Sequence, residues 1–149
     1  LANETVAALA AQPNIVGIKD ATGDLGRIGW MRANIAEGFA LISGDDASWL
    51  GYQAAGGHGV ISVTSNVAPE GMVALYDAVE AGDLETARLW QDRLIGLHRA
   101  LFLDSSPSPA KYALAKLGLC AEEVRLPLVP TRADVRPLLD RALAEAGVA

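Results

Sequence analysis

A lysine at the end of an apolar run is the first residue of this chain with chemistry to offer. In Asn14-Ile15-Val16-Gly17-Ile18-Lys19-Asp20-Ala21-Thr22-Gly23-Asp24, a strand-like stretch ends in Lys19 and breaks at once into a turn of small residues. Ile15, Val16 and Ile18 suit a strand covered on both faces, which reads as an apolar run and not as alternation. A charge placed there is costly unless it is paired or used. Desolvation favours the neutral form of an amine, and a neutral lysine amine attacks a carbonyl to form a Schiff base. The competing reading is a lysine that snorkels from the strand end to solvent.

Other residues offer less. Asp45 and Asp46 are adjacent carboxylates that could work as an acid–base pair. A helix cap followed by a first-turn acid is the favoured reading, because a helix N-terminus attracts negative charge. His58 lies in a glycine turn before an apolar run, and we read it as structural. His98 falls mid-helix, in a surface or packing role. Ser62, Thr64, Ser65 and Asn66 could bind a carboxylate or only satisfy the chain as it leaves a strand. The single cysteine, Cys120, rules out an internal disulfide and is expected to fill a gap in the core. No Cys/His spacing matches a zinc site. The glycines from Gly56 to Gly59 precede a strand instead of opening a helix, so they do not form a phosphate loop. Trp30, Trp49 and Trp90 read as core or interface anchors.

These residues need elements to hold them. Two further segments share the build of the first. Phe39-Ala40-Leu41-Ile42-Ser43 runs into Gly44-Asp45-Asp46, and Val60-Ile61-Ser62-Val63 runs into Thr64-Ser65-Asn66. Each strand candidate is followed by a helical pattern, as βα units require. Asn3 is a candidate cap for a short first helix, and Asp24 for the next, which Gly38 would close. A helix over 46–55 should end at Gly56-Gly57. Pro69 should start an amphipathic helix that Gly82 ends. From Asp83 the pattern becomes helical throughout: a long helix to Leu101, a break at Pro107 and Pro109, and a short helix from Lys111 to Leu117. The stretch from Arg125 to Pro130 should be extended, with Thr131 capping a last helix. Polar groups cluster after each strand, which in a parallel α/β barrel is the end that carries the active site.

Bulk properties exclude several classes. The chain has 149 residues, is 51% hydrophobic and carries a net charge of −6. Disorder does not fit that hydrophobicity, and nucleic acid does not fit that charge. No apolar run reaches the roughly 18–20 residues of a membrane span. The first residues lack the basic start and apolar core of a signal peptide, so a cytoplasmic protein is expected.

Several motifs occur in an order and spacing that point further. They are Gly17-Ile18-Lys19-Asp20-Ala21-Thr22-Gly23, Ser43-Gly44-Asp45-Asp46-Ala47 and the stretch from Gly56 to Pro69. Ser108-Pro109-Ala110-Lys111-Tyr112-Ala113, Gly118-Leu119 and Arg125-Leu126-Pro127-Leu128 follow. Together they resemble the C-terminal half of the 4-hydroxy-tetrahydrodipicolinate synthase (dihydrodipicolinate synthase) family, and the likeness runs through nearly the whole chain.

The resemblance implies an α/β fold: the C-terminal part of a TIM (β/α)8 barrel, about three βα units over residues 1–82, then a C-terminal helical domain over 83–149. Such a barrel takes about 250 residues. The chain is therefore expected to start just before the sixth barrel strand. An N-terminal half-barrel, with the family's threonine pair, tyrosine relay and carboxylate-binding arginine, becomes an expected partner. In the intact protein Lys19 is implied as the catalytic residue, forming a Schiff base with pyruvate. The backbones of Gly44 and Ile61 are implied to bind substrate; the Ile61 side chain is expected in the core. The iminium serves as electron sink, so neither a metal nor an organic cofactor is expected. The second substrate is a small aldehyde, aspartate-semialdehyde, in lysine biosynthesis. A homo-oligomer is expected, as in the family's tetramers. The alternatives are another pyruvate-dependent aldolase of the same superfamily, or a non-catalytic half-barrel acting as a fragment or assembly module.

Overall fold

The computed structural model describes residues 1–148. They group into two compact units, one over residues 1–62 and one from Val63 onward. The expected boundary at Gly82 falls later than this division, because the helix before Gly82 packs on the helix after it.

In the first unit, helices alternate with parallel strands: α1 (Asn3–Ala10), β1 (Gly17–Asp20), α2 (Leu25–Asn34), β2 (Ala40–Ser43), α3 (Trp49–Ala54) and β3 (Gly59–Val60). The strands form one sheet in the order β1-β2-β3, with both pairs parallel. Lys19 stands opposite Ile42, Asp20 opposite Ser43, and Ser43 opposite Val60. Parallel neighbours need a crossover, which α2 and α3 supply. Helix α2 presents Ile28 and Met31, and these pack with Val6, Phe39, Leu41 and Tyr52 into the unit's core. Asp24 caps α2 as expected, its carboxylate accepting the Gly26 N–H at 2.9 Å. Asn3 does not cap α1: it lies inside the first turn, and Ala2 takes the cap position. Gly38, at φ +90°, belongs to a separate turn before β2, since α2 ends in the extended Ile35.

Strand β3 is shorter than the apolar run suggested. Its start is held by His58 in two ways. The His58 N–H donates to the Leu41 carbonyl at 2.8 Å, while the ring Nδ1 accepts the Leu41 N–H at 2.9 Å. The imidazole thus replaces a backbone acceptor where the ladder begins.

The second unit opens with a 3-10 turn at Thr64–Asn66 and continues through α4 (Pro69–Glu80), α5 (Leu84–Ala100), α6 (Ser108–Lys116) and α7 (Arg136–Ala146). Helix α5 packs on α4 and α7, and α6 packs on α7. Leu75, Leu94, Leu97, Leu101, Leu139 and Leu143 are buried between them. His98 is buried as well, its Nδ1 lying 2.8 Å from the Thr64 hydroxyl. Its role is packing, not surface. The Asp83 carboxylate accepts the Thr86 N–H at the start of α5, which holds its carboxyl below the usual range.

Four expectations in this unit change. Helix α6 starts at Ser108, not Lys111, because Pro109 sits in the first turn, where no helical N–H is needed. Helix α7 starts at Arg136 and Thr131 does not cap it; the Thr131 carbonyl instead accepts the Arg136 Nε–H at 3.1 Å. The segment from Arg125 to Pro130 contains a turn, in which the Leu128 N–H reaches the Arg125 carbonyl at 3.1 Å. Cys120 is exposed and fills no core gap. Among the described residues no helix is long and apolar enough to cross a membrane.

Candidate active site

The C-terminal ends of the three strands bring the sequence-predicted residues side by side within the first unit. Lys19 is the third residue of β1, Gly44 follows β2, and Ile61 follows β3. Lys19 lies directly over Gly44. A methyl group built on Gly44 would stand 2.7 Å from Lys19 Cε, 3.0 Å from Lys19 Cγ and 2.9 Å from the Ala21 methyl. The Gly44 N–H donates to the Asp20 carbonyl at 2.8 Å, and the Ile61 N–H donates to the Ser43 carbonyl at 2.9 Å. Hydrogen bonds therefore tie the three strand ends into one edge.

Exposure along this edge departs from expectation. Lys19 is exposed in this chain, not partly desolvated. Val16 is 74% exposed and Ile61 55%, so the Ile61 side chain is not core and β1 is not covered on both faces. The reason is topological: β1 and β3 are the outer strands of the sheet, each with one neighbour.

Behind the lysine lies a buried polar cluster that sequence reasoning missed. Successive strand side chains point to opposite faces, so an exposed Lys19 places Asp20 inside. Asp20 is only 5% exposed. Its carboxylate pairs with Arg27 Nε at 3.2 Å and accepts the Thr22 N–H at 3.3 Å. Tyr52 of α3 is buried nearby. Burial, reinforced by the Asp20 charge, pushes its phenol up to about 12, against the opposing pull of Arg27. An acid at the end of an apolar strand, with an arginine in the first turn of the next helix, was the available signal.

Asp45 is occupied with structure. It accepts the Ser48 N–H at 2.9 Å and a short bond from the Ser48 hydroxyl, and its own N–H donates to Ser43 Oγ at 3.2 Å. Gly23, at φ +70°, brings the loop after β1 against this turn, since a methyl on Gly23 would lie 3.6 Å from Asp45 Oδ2. Helix α3 starts at Trp49, not Asp46, with Ser48 at its cap position and no acid in its first turn, so the cap and first-turn reading of Asp45 and Asp46 does not hold. Asp45 closes the turn ahead of the helix through Ser48. Asp46 is buried, at 2% exposure. His58 lies at the opposite end of the strands. Thr64 is buried against His98, and Asn66 donates to the Val63 carbonyl at 3.0 Å. Trp49 is fully buried, Trp30 packs on the core, and Trp90 carries the Arg93 guanidinium 5.1 Å from its ring centre. Among the described residues no three His, Cys, Asp or Glu side chains are grouped to hold a metal ion.

Parallel βα units with a lysine at the C-terminal end of a strand are the build of TIM-barrel enzymes, and solved structures of that class match this chain. The chain belongs to the dihydrodipicolinate synthetase family, whose model matches residues 1–146. A 4-hydroxy-tetrahydrodipicolinate synthase from Hyphomonas neptunium is 56% identical over 147 residues, covering 97% of this chain and 50% of the relative. One from Phenylobacterium zucineum is 50% identical over 148 residues, covering 99% of this chain and 50% of the relative. The structure of the Acinetobacter baumannii dihydrodipicolinate synthase, chloride inhibited and complexed with pyruvate, matches with a TM-score of 0.93 at 40% identity. It covers all of this chain, which spans 51% of it. The Thermotoga maritima enzyme matches with a TM-score of 0.92 at 40% identity, covering 99% of this chain and 51% of its own. The chain thus spans about half the length of the relatives it matches.

Proposed function

We propose that this chain is the lysine-bearing half of a 4-hydroxy-tetrahydrodipicolinate synthase that condenses pyruvate with aspartate-semialdehyde. The observation that carries the reading is Lys19, placed at the C-terminal end of β1 against Gly44, in a chain about half identical to synthases of that name. The Lys19 amine attacks the keto carbon of pyruvate, water leaves, and an iminium forms. Loss of a methyl proton gives an enamine, whose carbon attacks the aldehyde. The iminium withdraws the electrons, so this reading calls for no metal or organic cofactor.

In the same reading the carbonyls of Gly44 and Ile61 face the bound pyruvate. On this reading residues 1–82 are the last part of a (β/α)8 barrel and the residues from 83 onward belong to its C-terminal helical domain. The relatives' additional length supports a further half-barrel, carrying the proton relay and the second-substrate clamp. A cytoplasmic homo-oligomer completes the reading. The test is borohydride reduction in the presence of pyruvate, followed by peptide mapping. A pyruvate adduct on Lys19 is expected; an adduct on Lys111 or Lys116 with none on Lys19 overturns the assignment. Coupled assays of the completed protein with aspartate-semialdehyde and with sugar-derived aldehydes then fix the second substrate.

A further inference from the structure

We infer that Gly44 is a positioning residue for Lys19: its missing side chain is the floor on which the lysine stem lies, and this sets where the amine stands over the strand ends. The inference rests on the assignment of Lys19 as the Schiff-base residue and adds a role for Gly44 beyond lining the pocket with its backbone.

Gly44 does not need to be glycine for its backbone. Among the described residues seven glycines adopt a positive φ (Gly23, Gly38, Gly56, Gly59, Gly82, Gly118 and Gly147), and Gly44 is not one of them. A turn requirement therefore does not explain it. Its one backbone bond, to the Asp20 carbonyl, is open to any residue but proline. What excludes a side chain is occupied space. The nearest atom to an added methyl is Lys19 Cε at 2.7 Å, with Lys19 Cγ at 3.0 Å and the Ala21 methyl at 2.9 Å.

Lys19 itself makes no hydrogen bond or ion pair among the described residues, whereas Lys111 is bonded to the Glu123 carbonyl and Lys116 to Asp140. The lysine stem has several rotatable bonds, and its close approach to Gly44 restricts them. A displacement of about 1 Å in a reacting group can cost on the order of 10²-fold in rate. A methyl at position 44 would move Cε by a distance of that order.

The experiment compares four proteins: the chain itself, Gly44→Ala, Lys19→Ala and the double variant. Borohydride trapping with pyruvate reads the rate of imine formation at Lys19, and urea unfolding closes a double-mutant cycle. Gly44→Ala should slow imine formation at least tenfold. It should also shift the unfolding midpoint less in the Lys19→Ala background than in the chain itself. A wild-type trapping rate in Gly44→Ala, or strictly additive midpoints, overturns the inference. If Gly44→Ala does not fold, folding restored by Lys19→Ala supports it. A double variant that stays unfolded overturns it, because the obstacle is then Ala21. If the unaltered chain traps no pyruvate at Lys19, the catalytic assignment fails, and the cycle alone decides whether Gly44 seats the lysine.

Discussion

Lys19 and Asp20 are sequence neighbours with opposite fates. One strand end supplies an exposed amine on one face and a buried carboxylate on the other, as a period of two requires. Lys19→Ala should therefore abolish the pyruvate adduct and lower turnover of the completed protein on the order of 10³-fold or more. It should leave the fold intact, as read by circular dichroism and the urea midpoint. Asp20→Ala should act in the reverse way. It strands the Arg27 guanidinium, whose side chain is 11% exposed. Breaking a buried pair from one side costs about 3–5 kcal/mol, and a drop in the urea midpoint at unchanged slope would register it. Tyr52 adds a pH dependence. Its folded pKa of about 12 lies above the unfolded value near 10. The folded state therefore holds a proton that the unfolded state releases between those values. The stabilisation is complete below pH 10 and is lost as pH rises toward about 12. Tyr52→Phe should flatten the fall of stability over that window, measured as urea midpoint against pH.

Elements were legible where local chemistry decides them. Asp24 capping α2, Pro69 opening α4 and the left-handed Gly82 and Gly118 ending helices are all local events. The strand ends that carry the candidate site were legible for the same reason, since each is an apolar run closed by small polar residues. Burial was not. Val16 and Ile61 are apolar enough for a covered strand, but their exposure depends on which strands lie beside them, and that is set by topology. The Asp20–Arg27 pair spans a loop and a helix turn, so its signal lies only in reading the strand end and the next helix start together. His58 shows the limit most clearly. Its glycine surroundings marked it as structural, but only the geometry reveals that its ring completes the β2–β3 ladder. His58→Ala should leave the Leu41 N–H without its acceptor and cost about 1–3 kcal/mol. A side chain with an acceptor at similar reach, as in His58→Asn, should recover part of it. Hydrogen exchange of the Leu41 amide would report the loss directly, and unchanged protection in His58→Ala would remove the ladder role.

At the scale of the molecule, three parallel strands leave two outer edges. The side chains beside them are bare, Val16 at 74% and Ile61 at 55% exposure. Unpaired strand edges recruit other chains. Sedimentation of the purified 149-residue chain should therefore show soluble oligomers in place of a monomer. The chain spans about half the length of its synthase relatives, and in the proposed reading the proton relay and the carboxylate clamp belong to the other half. Positioning of reacting groups can supply about 7–11 kcal/mol of a barrier, and Lys19 cannot supply that alone. Synthase turnover by the isolated chain should be negligible, although slow imine formation can persist at an exposed amine. Supplying the N-terminal half of the Hyphomonas neptunium synthase, 56% identical over the shared region, should raise turnover at least ~10²-fold and shift the sedimenting species to a defined assembly. The same half added to Lys19→Ala should restore the assembly but not the turnover, which separates completion of the fold from completion of the chemistry. A well-behaved monomer of the 149-residue chain with turnover like that of whole synthases would mean that a full active site lies within these residues, and the half-barrel reading would fall.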